Sequence, residues 1–227
     1  MKITRLALLA LLALMLSFTS AHAGFYLGVH AGPNFPTASN AEASGFNTTF
    51  SLGNLAPKVG YMVGGQLGYD FLTDTQQFPS WTKYLSVALD FTSTSLVIPG
   101  KSFTFRRWNT LYYGDLSESN GTQLSLNFMV LGKLPLMESQ EFPHGRLFPY
   151  VGIGPSLVWS VFSNTSSFDL GFVVEPGVRF LFAPHLSGDL AYRYLYVSPT
   201  INPSGSFDKL SWNTGNHSVV FRVNYHF

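Results

Sequence analysis

Residues of alternating polarity recur in eight segments of this chain. In the last segment, residues 216–227, one set of alternate positions is apolar from Val219 onward: Val219, Phe221, Val223, Tyr225 and Phe227. Successive side chains of a β-strand point to opposite faces, so a period of two predicts a strand with one apolar face. The same pattern occurs at 25–35, 59–71, 84–95, 122–134, 148–162, 168–182 and 186–197. The periodicity therefore predicts an all-β chain of eight strands.

Ionisable residues within these segments fall almost entirely on the less apolar face. They are Asp70, Asp90, Lys133, Asp169, Glu175, Arg179, Asp189, Arg193 and Arg222. The opposite face is apolar and ends in aromatic residues, which is typical of strands that contact lipid between two aromatic girdles. A soluble sheet would instead direct its charges toward water. We therefore predict an eight-stranded antiparallel transmembrane up-and-down β-barrel with its charges inside.

Composition agrees with a surface that contacts lipid. Only 11% of the residues are charged and 16% are aromatic, whereas an average domain has about 25% charged residues. A soluble domain with so few charges would expose large apolar patches. Cysteine is absent, so rigidity is expected from a closed network of backbone hydrogen bonds. The balance of 13 basic and 12 acidic residues does not indicate a nucleic-acid partner.

The first 23 residues have the features of an export signal. Lys2 and Arg5 precede the apolar run Leu6 to Leu16, and Ala21-His22-Ala23 matches a small-x-small cleavage site. The apolar run is too short for a spanning helix, which needs about 20 residues, although a membrane anchor is the alternative. We expect cleavage after Ala23, which leaves 24–227 as one barrel domain.

The connections between the predicted strands differ in length. Barrels of this type begin at the periplasmic side, so odd-numbered connections are expected outside the cell: 34–58, 94–121, 163–167 and 198–215. Connections 72–83 and 135–147 would then be periplasmic, although they are longer than the short turns expected there. Long exterior connections on a rigid scaffold are candidates for recognition.

Connection 94–121 combines arginine with aromatic residues: Arg106, Arg107, Trp108, Tyr112 and Tyr113. These residue types are enriched at binding hot spots, so the five residues are candidate contacts for a surface partner. The alternative is that part of this connection extends the two neighbouring strands beyond the membrane. Arg106 and Arg107 would then face lipopolysaccharide phosphates.

The connection Ala183-Pro184-His185 allows a prediction of strand register. A three-residue turn pairs Phe182 with Leu186, and the same register sets Arg179 opposite Asp189 and Glu175 opposite Arg193. Directly opposed residues are close enough for ion pairs. We predict two interior ion pairs, joined by Arg222 and by Asp169 or Asp70. Glycines on the same face are expected to leave room for arginine and tyrosine side chains.

Two hypotheses account for the interior ion pairs. They could switch between open and closed pairings and gate a narrow channel. They could instead fill the interior, since buried charges are tolerated when each has a partner. The interior of an eight-stranded barrel is just wide enough for side chains, which favours the second hypothesis.

Catalytic patterns are weak in this sequence. His217 and Ser218 are adjacent in a predicted strand, so they point to opposite faces and cannot act together as base and nucleophile. His30 could meet a carboxylate across the barrel, although a lone interior histidine is usually a hydrogen-bonded filler. Metal-ligand spacing is not found. We therefore predict no catalytic residue, no cofactor and no metal site.

Four stretches carry a resemblance to a known family: residues 24–32, 148–154, 189–194 and 223–227. They resemble the small outer-membrane β-barrels of Gram-negative bacteria, the OmpA-transmembrane and opacity-protein-like group, often called porin-like. The resemblance implies contact with outer-membrane lipids and lipopolysaccharide. It also implies that the barrel-assembly machinery recognises the last strand through Val223, Tyr225 and Phe227.

The resemblance implies a non-enzymatic role in membrane integrity or in surface interaction through connections 34–58, 94–121 and 198–215. A narrow channel gated by interior ion pairs is the alternative. A lipid-modifying enzyme is a third reading. The lipid A deacylases are also eight-stranded barrels, but their His-x-Ser on one strand face has no counterpart here.

Overall fold

A computed structural model of the chain describes residues 24–37, 39–45, 48–55, 57–71, 80–107, 110–116, 118–162, 165–201 and 209–227. The expected export signal, residues 1–23, lies outside the described residues. Within the described ranges, no helix is long and apolar enough to cross a membrane.

Eight of the described strands close into an antiparallel barrel, which confirms the predicted fold. In chain order they are β1 (Phe25–Pro36), β4 (Gly60–Asp70), β5 (Leu85–Ile98), β8 (Ser119–Lys133), β9 (Leu147–Phe162), β10 (Thr165–Ala183), β11 (Leu186–Val197) and β14 (Thr214–His226). Around the wall the order is β1-β14-β11-β10-β9-β8-β5-β4. The last strand pairs with the first, with Val29 opposite Val223, so every barrel strand has two neighbours.

The barrel is apolar outside and largely polar inside. On β14, Phe221 exposes 58% of its surface, whereas the next residue, Arg222, exposes 2%. The same alternation continues around the wall, where Val29, Leu170 and Phe172 point outward. An exposed apolar band of this kind is expected where a barrel contacts hydrocarbon. The predicted assignment of charges to the inner face is therefore confirmed for these strands.

The two ends of the barrel differ. At one end, which we call the terminal end, the backbone of Phe227 donates to Phe25 (3.0 Å) and that of Asp70 donates to Gly24 (2.6 Å). A short 3-10 helix, Ser80–Tyr84, precedes β5 at this end. The opposite end, which we call the hairpin end, carries the strands that lie outside the barrel wall.

Predicted connections 34–58, 94–121 and 198–215 contain further strands, and both ends of connection 94–121 belong to β5 and β8, as one of the two alternatives for this connection expected. The additional strands are β2 (Ser39–Gly45), β3 (Thr48–Leu55), β6 (Lys101–Arg107), β7 (Thr110–Leu116), β12 (Thr200–Ile201) and β13 (Lys209–Trp212). Four of them form a sheet in the order β12-β13-β2-β3, while β6 and β7 form a separate hairpin. Extended backbone continues here because strand pairing satisfies its hydrogen bonds beyond the membrane.

The turn between β10 and β11 differs from the predicted one. Ala183 pairs with Leu186, so the turn contains only Pro184 and His185, and Phe182 is not opposite Leu186. A bulge between Leu181 and Ala183 adds one residue to β10. The extra residue compensates for the shorter turn. The predicted register is therefore recovered further along the strands, where Arg179 lies opposite Asp189.

Candidate functional site

Eight ionisable side chains form what we call the interior charge network. Four are cationic and four are carboxylates: Lys133, Arg179, Arg193 and Arg222, with Asp70, Asp90, Glu175 and Asp189. All eight are buried. Equal numbers of opposite charges make the network neutral, as expected for ionised groups that have left water.

At the terminal end the network is centred on Asp70 and Arg179. Arg179 Nε donates to Asp189 Oδ1 (3.0 Å), and its Nη1 lies 3.5 Å from Asp70 Oδ2. Lys133 Nζ donates to Asp70 Oδ1 (2.5 Å), and Ser86 donates to the same carboxylate. Arg179 is thus shared between two carboxylates that lie on different strands.

Arg222 connects the two halves of the network from the strand that closes the barrel. Its Nη2 donates to Glu175 Oε1 (2.9 Å), and its Nη1 donates to Asp189 Oδ2 (3.1 Å) and to Tyr150 Oη (3.2 Å). Tyr150 in turn donates to Glu175 Oε1 (3.1 Å). Three strands besides β14 therefore hold this guanidinium in place.

Arg193 makes the contacts nearest the hairpin end. Its Nε donates to Glu175 Oε2 (2.6 Å), while Nη1 and Nη2 donate to the two oxygens of Asp90 (2.9 Å each). Asn127 Nδ2 and Thr92 Oγ1 also donate to Asp90, at 2.8 Å and 2.7 Å. A bidentate arginine–carboxylate pair is among the stronger and more directional charge contacts in proteins.

Two histidines lie against the network. The Nε2 atom of His30 is 3.1 Å from Thr92 Oγ1, and its Nδ1 is 3.6 Å from Asp90 Oδ2. His226 Nε2 is 2.9 Å from Ser187 Oγ at the terminal end. The carboxylate near His30 therefore lies two strands away along the wall and not across the barrel, and the hydrogen-bond contact of the ring is with Thr92.

Glycines make room for the largest interior side chains, as the sequence predicts. A Cβ atom added to Gly68 would overlap the ring of Tyr26, and one added to Gly177 would lie 2.7 Å from Cζ of Tyr150. The Tyr26 ring in turn supports Arg179, whose Cζ is 4.3 Å from the ring centroid. A cation over an aromatic face is stabilised electrostatically.

The interior also contains an apolar cluster that the sequence analysis did not identify. Its members are buried and contiguous, and they include Met62, Met129, Leu131, Val158, Val173, Leu195, Val197 and Val220. Near the hairpin end, Trp212 of β13 is buried against Phe162, with ring centroids 6.0 Å apart. In the sequence, the sign of this cluster was the presence of apolar residues at inward positions of the predicted strands. The charged residues on the same face obscured it.

The five predicted interior residues, Glu175, Arg179, Asp189, Arg193 and Arg222, are brought together in one network. Of the two further carboxylates that the sequence suggested, Asp70 belongs to the network, whereas Asp169 is half-buried and, among the residues that the structure describes, lies outside it. Asp90 and Lys133 were not predicted as partners. Their contacts join strands that are not neighbours, and strand register alone does not reveal such contacts.

The remaining predicted residues lie apart from the network. Val223 and Tyr225 point outward from β14, and Phe227 is half-buried at the terminal end. Arg106 and Arg107 lie on β6, while Tyr112 and Tyr113 lie on β7, which pairs with it. Tyr113 is 78% exposed, and Trp108 lies outside the described residues.

His217 and Ser218, which are adjacent in β14, lie on opposite sides of the barrel wall. Among the residues that the structure describes, no group of histidine, cysteine or carboxylate side chains could hold a metal ion. His217 contacts Tyr192 on the outer face, whereas Ser218 donates to Asn34 Oδ1 (2.8 Å) inside the barrel. Their opposite orientation prevents them from acting as base and nucleophile, so the arrangement best supports ion pairing and packing.

Comparisons with known proteins agree with this architecture. The outer membrane protein beta-barrel domain family matches residues 6–227. The structure of neisserial surface protein A aligns with a TM-score of 0.51 and 19% identity, covering 91% of this chain and 100% of that chain. OprG from Pseudomonas aeruginosa aligns with a TM-score of 0.56 and 12% identity, covering 90% and 97%. At these identities the two structures show the fold alone. No curated protein sequence gives a significant match.

Proposed function

Because this chain belongs to the outer membrane protein beta-barrel domain family and is located in the outer membrane, we propose a specific role within that family. The protein is a non-enzymatic barrel that side chains close to ion flow. Its hairpin end, which carries the additional strands, faces the cell exterior and makes surface contacts, and its terminal end faces the periplasm. Residues 1–23 direct its export.

The ion pair between Arg193 and Asp90 carries this proposal. These residues lie on β11 and β5, which are four strands apart in either direction around the eight-stranded wall. Their side chains nevertheless meet with two contacts of 2.9 Å. Side chains that meet across the full width of the barrel obstruct a continuous aqueous path at that level.

The energetics of burial favour a closed interior. Separating a buried pair leaves an unpaired charge out of water, which costs about 3–5 kcal/mol when one partner is removed. Arg193 and Arg222 each contact more than one carboxylate, so opening the network would break several contacts together. A closed interior leaves the ends of the barrel as the parts available to partners.

The hairpin end offers extended surfaces that the barrel holds in place. Thr37 both donates its backbone N–H to the carbonyl of Gly215 (2.7 Å) and accepts from the backbone of Gly215 through its hydroxyl (3.0 Å). The backbone N–H of Trp212 donates to the carbonyl of Pro199 (3.2 Å) at the base of the four-stranded sheet. Exposed segments on a rigid scaffold are where recognition is concentrated. Lipopolysaccharide or a protein on another surface would be the partner.

The surface role can be tested with strains that differ only in the β6–β7 hairpin. One strain lacks the protein, a second carries it intact, and a third carries it with residues 101–116 replaced by a short Asn-Gly turn. We expect the intact protein to restore adhesion to abiotic or host surfaces, and the shortened protein to reach the membrane without restoring it. Equal restoration by both proteins would contradict a role for this hairpin and favour membrane integrity through the barrel.

A channel gated by ion pairs is the second candidate, and one observation favours it. Arg179 contacts Asp189 (3.0 Å) and Asp70 (3.5 Å) together near the terminal end, so it could release one carboxylate and keep the other. A gate requires two such pairings of similar energy. Conductance in planar bilayers distinguishes this candidate from a closed barrel.

A further inference from the structure

The outer wall carries an apolar groove near the terminal end, where β10, β11, β14 and β1 lie side by side. The groove has a volume of about 700 Å³ and is lined mainly by Val29, Ala31, Phe180, Phe182, Leu190 and Phe221. Three strand spacings separate β10 from β1, which gives the groove a width of roughly 14 Å across the wall.

Gly188 allows an aromatic ring to lie against this part of the wall. It occupies an outward position on β11 between Leu186 and Leu190, which are both exposed. A Cβ atom at Gly188 would lie 2.8 Å from Cε2 of Phe182, so the phenyl ring occupies space that any larger residue would need. The absent side chain at Gly188 therefore leaves room for the Phe182 ring, which lines the groove.

A cation lies at the terminal end of the groove. The guanidinium carbon of Arg146 is 4.9 Å from the ring centroid of Phe180, whose side chain also lines the groove, and 5.1 Å from that of Phe142. Arg146 Nε donates to the carbonyl of Leu181 (3.2 Å). An arginine has five N–H donors, and this bond occupies one of them. Two rings and one carbonyl thus fix the cation at the edge of the apolar band.

We propose that this groove and Arg146 together bind a phospholipid, with an acyl chain along the groove and the headgroup phosphate at the guanidinium. An apolar groove that ends at a fixed cation is complementary to a molecule with a hydrocarbon chain and an anionic phosphate. Arginine is well suited to phosphate oxygens because its planar fork donates two parallel hydrogen bonds. The groove and Arg146 lie on the outer wall, so lipid binding there does not depend on whether the interior conducts ions.

Matched variants allow a direct test by native mass spectrometry of the purified protein. Gly188→Leu fills the groove, and its control Gly132→Leu adds the same side chain at an outward glycine whose added Cβ meets no atom within 4 Å. Arg146→Gln removes the cation, and its control Lys83→Gln removes another one at the same end, next to Tyr84 (5.1 Å). Heat-dependent gel mobility shows that each variant is folded. If Gly188→Leu does not fold, Val29→Trp fills the groove from an exposed position.

The probes are phosphatidylglycerol, diacylglycerol with the same chains, and inorganic phosphate. We expect phosphatidylglycerol to be retained by the wild type and both controls, to be retained about tenfold less by Arg146→Gln, and to be lost from Gly188→Leu. Diacylglycerol retention should depend on Gly188 and not on Arg146. Equal retention by Gly188→Leu and Gly132→Leu would overturn the proposal. Binding of inorganic phosphate alone, without any effect of Gly188→Leu on lipid, would also overturn it.

Discussion

Arg193 and Asp90 make a two-point ion pair across the full width of the barrel. Both nitrogens of the guanidinium fork lie 2.9 Å from a carboxylate oxygen of Asp90, although the two strands are as far apart around the wall as the barrel allows. Glu175 holds the same arginine from its other side, with Nε donating to Oε2 (2.6 Å). Arg193 therefore links opposite sides of the barrel through its interior. Neither strand pairing nor the lipid-facing surface provides a link there.

Replacing Arg193 with methionine should destabilise the barrel strongly. The change keeps an unbranched side chain but leaves Asp90 and Glu175 buried without this partner, so we expect the free energy of unfolding to fall by about 3–5 kcal/mol. Urea unfolding in lipid vesicles, followed by tryptophan fluorescence, measures this change. The control is Lys58→Met, which removes an ion pair with Glu118 whose side chains are 55% and 50% exposed. That control should cost at most about 1 kcal/mol, and equal losses would contradict a structural role for the network.

Two adjacent glycines on β4 should differ in how much an alanine substitution destabilises the barrel. A Cβ atom at Gly64 would lie 2.2 Å from the carbonyl oxygen of Phe91 and 2.6 Å from Nε2 of His30, whereas one at Gly65 would find its nearest neighbour, the carbonyl oxygen of Gly28, at 3.5 Å. Overpacking of a filled interior typically costs about 1–3 kcal/mol. Gly64→Ala should therefore lower the urea midpoint while Gly65→Ala leaves it nearly unchanged. A similar midpoint for both variants would show that the interior around His30 has spare volume.

Trp212 should hold the four-stranded sheet at the hairpin end. Its indole is buried and packs edge to face on Phe162 of the barrel wall, and truncation of a buried tryptophan typically costs about 3–5 kcal/mol. We expect Trp212→Ala to expose β2 and β3 to limited proteolysis of intact cells, while the barrel retains its heat-dependent gel mobility. Tyr113→Ala removes an aromatic side chain that is already exposed and should leave the cleavage pattern unchanged. If β2 and β3 remain protected from proteolysis in Trp212→Ala, Trp212 does not hold the four-stranded sheet in place.

Phe227→Ser should impair assembly rather than the stability of the finished barrel. Phe227 continues the outward face of β14, and its backbone donates to Phe25 where the barrel closes. A pulse-chase experiment that follows the heat-shifted membrane form should show slower accumulation. The control is Phe168→Ser. Phe168 is an exposed aromatic residue on β10, near the hairpin end of the barrel. Equal rates for the two variants would contradict a recognition role for the last residue.

Alternation of polarity was sufficient to predict the barrel wall, because lipid outside and charge inside leave opposite marks on adjacent residues. Arg222 lies between Phe221 and Val223, and a one-residue shift of register would expose it to lipid. The same constraint predicted that Arg179 lies opposite Asp189, even though the turn that sets this register has a different length. The bulge at Phe182 restores the pairing of Arg179 with Asp189. These two buried charges therefore stay in contact.

Contacts through the interior could not be predicted in the same way. Strand register relates Glu175 to Arg193 because β10 and β11 are neighbours, but it does not relate Arg193 to Asp90 on the opposite wall. The strands at the hairpin end were also missed. Segments such as Ser39–Gly45 contain small and polar residues without clear alternation, since neither of their faces contacts lipid. Their pairing with β13 depends on residues distant in sequence, such as Trp212 opposite Ala41.

Single-channel conductance of the purified protein in planar bilayers distinguishes a closed interior from a conducting one. The proposed closed barrel predicts no steady conductance for the wild type, and none for Lys58→Ala, which changes an exposed charge. Arg179→Ala should not produce a steady open state either, because the pairs between Arg193, Arg222 and their carboxylates remain. A reproducible wild-type conductance that Arg179→Ala raises or abolishes, while Lys58→Ala leaves it unchanged, would contradict the closed barrel and establish a gated channel.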